Sequence, residues 1–171
     1  MNDSQDIKKS VEARATALRN RIIQSKIATP EHLVGCSDEE IEALEKACKL
    51  TLPYSYKVFL KNFGHCFGGV ANDVEFLYRD VFSLTETARE ILQEEDDPVL
   101  PENAFVFAMR YGEQFFFFEA EKDNEAPPIF YYMEGDESFS KSYDSVFDLW
   151  EGEVELKAEI LARHQERYKS K

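Results

Sequence analysis

The N-terminal segment of the chain carries hydrophobic residues at the spacing of one face of a helix. This spacing, with basic residues on the other faces, predicts an amphipathic helix over about residues 6–26. The helix can dock on its own domain or on a second copy of the chain, and the sequence leaves the oligomeric state, monomer or homodimer, open. The residues of the apolar stripe are Val11, Ala15, Leu18 and Ile22.

Two further helices are predicted between residues 37 and 64. Ser37 and Glu40 have the spacing of a capping box, in which each side chain accepts a hydrogen bond from the other residue's backbone N–H. Pro53 suits the first turn of the next helix, and Gly64 is placed to end it. The apolar faces consist of Ile41, Leu44 and Cys48 in the first helix and Tyr56, Phe59, Leu60 and Phe63 in the second.

After residue 70 the pattern changes to short apolar runs, which are typical of strands. Four consecutive phenylalanines, 115–118, predict a central strand that is buried on both faces. The connections between the later runs are short enough for antiparallel pairing of neighbours. The predicted strands are 74–78, 81–82, 104–109, 114–120 and 129–133.

Two more helices complete the predicted architecture. One follows Ser83, which has capping-box spacing with Glu86, and the last begins near Asp144 and continues past Gly152. This order of elements predicts an α+β fold: an antiparallel sheet of about four to six strands, with helices packed on one face and helices at both ends of the chain. We divide the chain into an N-terminal helical extension, 1–28, and a single domain, 29–171.

Charge is distributed unevenly along the chain. The formal net charge is -14, yet residues 29–156 hold 29 acidic and 9 basic side chains, while both terminal segments are net positive. A surface this acidic repels nucleic acid and anionic lipid, so neither is an expected partner. It is consistent either with high solubility or with recognition of a basic protein.

The residue types that carry chemistry do not form a recognisable motif. The three cysteines, Cys36, Cys48 and Cys66, lack C-x-x-C spacing, and no pair of histidines has metal-ligand spacing. Cys66 and His65 are adjacent in sequence, which is poor geometry for a nucleophile and its base. We therefore predict no catalytic residues, no metal site and no cofactor. An enzyme using this pair or carboxylates alone is the weakest interpretation.

A series of short motifs is similar to a known family. The order and spacing of these motifs, over about residues 35–155, resemble the SUKH superfamily, whose Smi/Knr-type members include bacterial toxin-immunity proteins and fungal cell-wall regulators. The motifs are Gly35, Ile41 and Glu45; Leu52-Pro53, Tyr56, Phe59-Leu60 and Phe63-Gly64; Gly68-Gly69; Leu100-Pro101 with 104–108; Gly112 with 115–118; 127–132; and Tyr143, Ser145, Phe147 and Leu149.

The resemblance implies a non-catalytic, cytoplasmic immunity protein that binds and neutralises a cognate bacterial toxin. Nuclease toxins have basic clefts, which an acidic domain complements. The alternative is a regulatory or scaffold domain of the cell-wall regulator type. Acidic residues beside the predicted strand turns are the candidates for partner binding: Asp73, Glu75, Glu113, Glu121, Asp123, Glu125, Asp136 and Glu137.

The sequence also bears on where the protein acts. The longest apolar run is much shorter than the roughly 20 residues of a membrane span. The first six residues are polar and lack the apolar segment of a secretion signal. A cytoplasmic location without a membrane partner is therefore expected.

Overall fold

A computed structural model describes residues 3–93 and 97–169 of the chain. Within them lie five α-helices, a two-stranded sheet and a five-stranded sheet, which confirms the predicted α+β class with helices at both ends. The helices are α1 (Asp3–Gln24), α2 (Asp38–Cys48), α3 (Tyr54–Phe63), α4 (Val81–Ile91) and α5 (Val146–Lys169). The strands are β1 (Leu33–Val34), β2 (Cys66–Phe67), β3 (Val74–Glu75), β4 (Ala104–Arg110), β5 (Gln114–Glu119), β6 (Ile129–Met133) and β7 (Ser140–Tyr143).

Helix α1 docks on its own domain. All four residues of its predicted apolar stripe are buried and belong to the main hydrophobic core. Two arginines on the helix reach α5, where Arg14 bonds to Asp148 and Glu151 and Arg21 bonds to Glu155. Apolar burial and ion pairing thus fix α1 along α5.

The capping box and the glycines explain how α2 and α3 meet. Ser37 Oγ accepts from the N–H of Glu40, and the Glu40 carboxylate accepts from the N–H of Ser37, as predicted. The chain before α2 crosses the end of α3 so closely that a Cβ on Gly35 would lie 1.6 Å from the carbonyl oxygen of Lys61. Only glycine permits this approach, because any side chain would overlap the α3 backbone.

The larger sheet is an antiparallel meander in the order β3-β4-β5-β6-β7, which places β5 at its centre. In β5, Phe115, Phe117 and Phe118 are buried and Phe116 is partly buried, in agreement with the predicted central strand. Strand β3 pairs only with the last two residues of β4. Along the part of β4 that β3 leaves unpaired lies α4, where the Thr85 hydroxyl accepts from the N–H of Val106 and so covers this exposed edge.

Aromatic rings join the helices to one face of the sheet. The ring of Tyr56 on α3 lies 5.3–5.7 Å from the rings of Phe105, Phe107 and Phe118. Trp150 on α5 stacks on Phe59 at 5.2 Å. Aromatic pairs at these distances contribute beyond their buried area, so this layer is the centre of the core.

The predicted structure of residues 74–86 is wrong in part. Strand β3 ends at Glu75, and residues 81–82 form the first turn of α4 instead of a strand. The chain turns at 77–80, where the Asp80 carboxylate accepts from the N–H of Leu77. Asp80 is therefore the N-cap of the helix, three residues before the predicted cap Ser83. The Ser83 hydroxyl donates to the carbonyl of Asp80 inside this first turn and does not form the expected capping box.

Candidate functional site

The five-stranded sheet brings three acidic segments together at one end, which we call the hairpin end (residues 73–75, 111–113 and 134–137). Val74 pairs with Arg110, and Gln114 pairs with Met133, so the two hairpin turns and β3 are neighbours. The hairpin end holds five of the eight predicted partner-binding residues: Asp73, Glu75, Glu113, Asp136 and Glu137.

An exposed aromatic residue projects from the middle of the hairpin end. Tyr111 leaves 73% of its surface exposed, and Met133 of the next strand leaves 43% exposed. Tyr111 and Gly112 both have positive φ values, 57° and 71°, in a turn closed by the N–H of Glu113 bonding to the carbonyl of Arg110. This is the geometry of a tight β-hairpin, and it points the tyrosine away from the domain.

The hydrogen bonds of the hairpin end join its own turns to one another. The N–H of Glu134 donates to the carbonyl of Glu113, which links the two hairpins. The Asp136 carboxylate accepts from the N–H of Met133 and so shapes the second turn. Glu113 and Glu137 are exposed. Their carboxylates can therefore meet a partner without first breaking the fold.

One arginine partly neutralises this end. Arg110 Nε lies 3.0 Å from Asp73 Oδ2, and Arg110 Nη2 lies 3.8 Å from Glu153 Oε1 of α5. Burial raises the pKa of Glu153, Asp73 raises it further, and Arg110 offsets only part of the rise. The hairpin end thus holds more negative charge than its arginine balances.

The other three predicted residues lie at the opposite end of the sheet, which we call the loop end (residues 120–128). Seven residues of β4 separate the two ends, a distance of about 20 Å. At the loop end, Glu121 and Asp123 are exposed. Glu125 is engaged by the helices: its carboxylate pairs with Lys8 at 2.9 Å, and its carbonyl accepts from the N–H of Ser55. The eight carboxylates therefore form two groups instead of one site.

A second cluster of polar side chains lies where the start of α2 meets the end of α3. Cys36, Glu40 and His65 each offer one potential ligand atom, and these atoms lie within 4.8 Å of one another. His65 Nε2 is 2.9 Å from Glu40 Oε1. Cys66 is adjacent to His65 in sequence, but the fold brings the more distant Cys36 to this histidine. Residues at positions 36, 40 and 65 have no spacing that a motif search would recognise.

The cysteine of this cluster is not an activated nucleophile. Burial, with the negative charge of Glu40, raises the pKa of the Cys36 thiol to about 12. A nucleophilic cysteine requires a lowered pKa, because the thiolate is the reactive form. The free Cys36 side chain is therefore a thiol, and forming a thiolate there would require a positive partner beside the sulfur.

Most of the chain matches the sequence model of a known family. A model of the SMI1 / KNR4 family (SUKH-1) matches residues 35–152, more than half of the chain. The chain belongs to the SMI1 / KNR4 family (SUKH-1). No curated protein sequence matches it significantly.

The SMI1 / KNR4 match begins at Gly35, the glycine that crosses the end of α3, and it ends within α5. It includes the whole five-stranded sheet and both of its ends, whereas α1 lies outside it. None of the helices in the described part of the chain combines the length and apolar character needed to cross a membrane.

Proposed function

We propose that this SUKH-1 protein is a non-catalytic immunity protein, which acts in the cytoplasm by binding a cognate toxin through the hairpin end. The observation that carries the proposal is the group of five acidic residues, four of them exposed, at the same end of the sheet as the exposed Tyr111. An exposed aromatic residue with a charged rim has the composition of a protein-binding hot spot.

The charge of the domain favours a basic partner. Residues 29–156 hold an excess of 20 acidic side chains. Such a field accelerates encounter with a positive surface and disfavours neutral or acidic partners. A nuclease-type toxin has a basic cleft because its substrate is a polyanion, so the acidic hairpin end can occupy that cleft and exclude nucleic acid.

The loop end is a weaker candidate for the same role. Glu125 is already paired with Lys8, and α1 lies against this end of the sheet. Binding there would compete with the ion pair between Glu125 and Lys8, whereas Glu113 and Glu137 at the hairpin end are exposed. A charge at the edge of an interface that is already neutralised by an ion pair adds little to the rate of association with a basic partner.

The first test is to sequence the DNA next to the gene and identify the adjacent open reading frame. A large secreted protein with a compact, basic C-terminal module would supply the candidate toxin. Neighbouring genes without such a module, together with capture of a host signalling protein, would favour the regulatory-scaffold alternative.

The second test measures how fast the purified toxin module associates with the wild-type protein and with two matched variants of it. Glu113→Lys/Glu137→Lys changes the charge of the hairpin end by the same amount as Glu121→Lys/Asp123→Lys changes the loop end. We expect the first variant to slow association by about 10-fold or more and the second by much less. Wild-type association should slow steeply between about 50 and 500 mM salt. Equal effects of the two variants, or no salt dependence, would contradict the proposal.

A further inference from the structure

We propose that Cys36, Glu40 and His65 form a binding site for a zinc-type divalent cation. These residues come from three segments: the loop between β1 and α2, the first turn of α2, and the connection from α3 to β2. Their potential ligand atoms lie within 4.8 Å of one another. This proposal is independent of the proposed immunity function, because the cluster lies outside both ends of the sheet.

Backbone hydrogen bonds hold two of the three ligand residues, Cys36 and His65, in place. The N–H of Cys36 donates to the carbonyl of Leu60 at 2.8 Å, and the N–H of His65 donates to the carbonyl of Val34 at 2.9 Å. These bonds tie the loop of Cys36 to the end of α3 on both sides. Gly64 has no side chain, and the Cys36 sulfur fills the space where one would be: a Cβ on Gly64 would lie 2.3 Å from Cys36 Sγ.

The capping box orients the carboxylate. Glu40 Oε2 accepts from the N–H of Ser37 at 2.8 Å, and this bond places both carboxylate oxygens 2.9–3.0 Å from His65 Nε2. The Tyr78 hydroxyl donates to the carbonyl of Glu40 and holds the first turn of α2. A metal ligand supported by such outer hydrogen bonds loses little freedom when it binds an ion.

The ligand set selects the class of ion. Thiolate, imidazole and carboxylate together suit zinc and its close relatives, whereas magnesium and calcium prefer oxygen ligands alone. A tetrahedral zinc with bonds of about 2.0–2.3 Å separates its ligand atoms by about 3.3–3.8 Å. The distance between His65 Nε2 and Glu40 Oε1 must increase by about half an ångström, and the Cys36 sulfur must move toward these two atoms by about 1.3 Å at most.

One side of the site faces solvent. The side chains of His65 and Glu40 are 38% and 37% exposed, so water can supply the fourth ligand. Coordination converts the Cys36 thiol to a thiolate and releases its proton to solvent. Because the bound ion would join three segments of the chain, it would also stabilise the folded state.

The test uses Co²⁺ as a spectroscopic probe of the full-length protein under reducing conditions. We expect a sulfur-to-cobalt charge-transfer band and the visible absorption of four-coordinate cobalt, both displaced by Zn²⁺. Surface carboxylates also bind cobalt, but they give no sulfur band. Zn²⁺ should in addition raise the melting temperature.

Variants identify the ligands. Cys36→Ser should abolish the sulfur band, while Cys48→Ser and Cys66→Ser retain it. His65→Ala, at a half-exposed position, should weaken Co²⁺ binding by more than about 100-fold and leave the circular dichroism spectrum unchanged. Absence of the band in the wild type, its survival in Cys36→Ser, or full affinity in His65→Ala would overturn the assignment. Because His65→Ala does not disturb the core, misfolding of Cys36→Ser would not prevent a decision.

Discussion

The two ends of the five-stranded sheet carry similar acidic residues but differ in what surrounds them. At the loop end, α1 and the start of α3 lie against the chain, and Glu125 is bonded to both. At the hairpin end, the turns bond mainly to one another, and Tyr111 projects outward. The same residue type therefore fastens the fold at one end and is available to a partner at the other.

The neighbours of a carboxylate decide whether its charge stabilises or destabilises the folded state. Glu125 has a lysine at 2.9 Å, so its charge stabilises the native state. Glu153 of α5, beside the hairpin end, is half-buried near Asp73, and its pKa is raised by burial. Neutralising these two side chains should therefore change stability in opposite directions.

The largest expected effect is a loss of stability when an aromatic residue of the central strand is replaced by a charged one. Phe117→Asp should destabilise the domain by more than about 4 kcal/mol, because it buries an unpaired charge and removes a ring that is 1% exposed. Tyr111→Asp at the hairpin end should change stability by less than about 1 kcal/mol. Urea unfolding compares the two, and a folded Phe117→Asp would disprove the central position of β5.

A second prediction concerns the ion pairs that hold α1 near the loop end. Arg14→Ala should cost about 1–2 kcal/mol, a value reduced for the partial exposure of its carboxylate partners. Arg79→Ala, at an arginine whose side chain is 82% exposed, is the matched control and should be nearly neutral.

The effect of Arg14 should depend on pH. Burial tends to raise the pKa of Asp148, but hydrogen bonds from Arg14 and Ser145 outweigh it and lower the pKa overall. Stabilisation by a lowered pKa is present above the ordinary value of 3.8 and is lost as the pH falls through the folded-state value. Thermal unfolding of the wild type and Arg14→Ala should therefore converge in strong acid, and a constant difference would contradict this origin.

A third prediction contrasts glutamates at the two ends. Glu125→Gln should lower stability by less than about 1 kcal/mol, because it removes the ion pair with Lys8. Glu137→Gln should leave stability unchanged or slightly higher, since Glu137 is exposed in an acidic region. Paired denaturation curves at low salt measure both, and an equal loss in the two variants would remove the distinction between the ends.

The smallest expected effect is a gain in stability when Glu153 of α5, beside the hairpin end, is neutralised. A raised pKa means that the folded state favours the protonated form of Glu153. The stability that protonation contributes is fully present below the ordinary pKa of 4.5 and is lost as the pH rises through the pKa of the folded state. Glu153→Gln should therefore raise stability at pH 7 by less than about 1 kcal/mol. The gain should disappear below pH 4.5, and melting temperatures at both pH values test it. A loss of stability at pH 7 would show that the ion pair with Arg110 dominates.

Long periodic elements could be predicted from the sequence because their patterns are local. The stripe of α1, the capping box of α2 and the apolar runs of β4, β5 and β6 all appear within a few residues of their predicted positions. Strands β1 and β2 were not predicted, since two residues carry no periodicity. Strand β7 was missed because its sequence, Ser-Lys-Ser-Tyr, has only one apolar residue.

The candidate sites were only partly predictable. The sequence placed acidic residues beside turns, but the order of the strands decided which turns are neighbours. Cys36 and His65 meet because Gly35 permits the close crossing of α3, a contact between residues far apart in the chain.

The amino-acid sequence by itself determined the types of element, the acidic character of residues 29–156 and the family, because each depends on composition or on spacing along the chain. The tertiary structure alone decided that five carboxylates share one end with Tyr111, that α1 packs on its own domain, and that Cys36, Glu40 and His65 form one cluster. The physical reason is that packing and strand pairing set distances between residues that no local pattern relates.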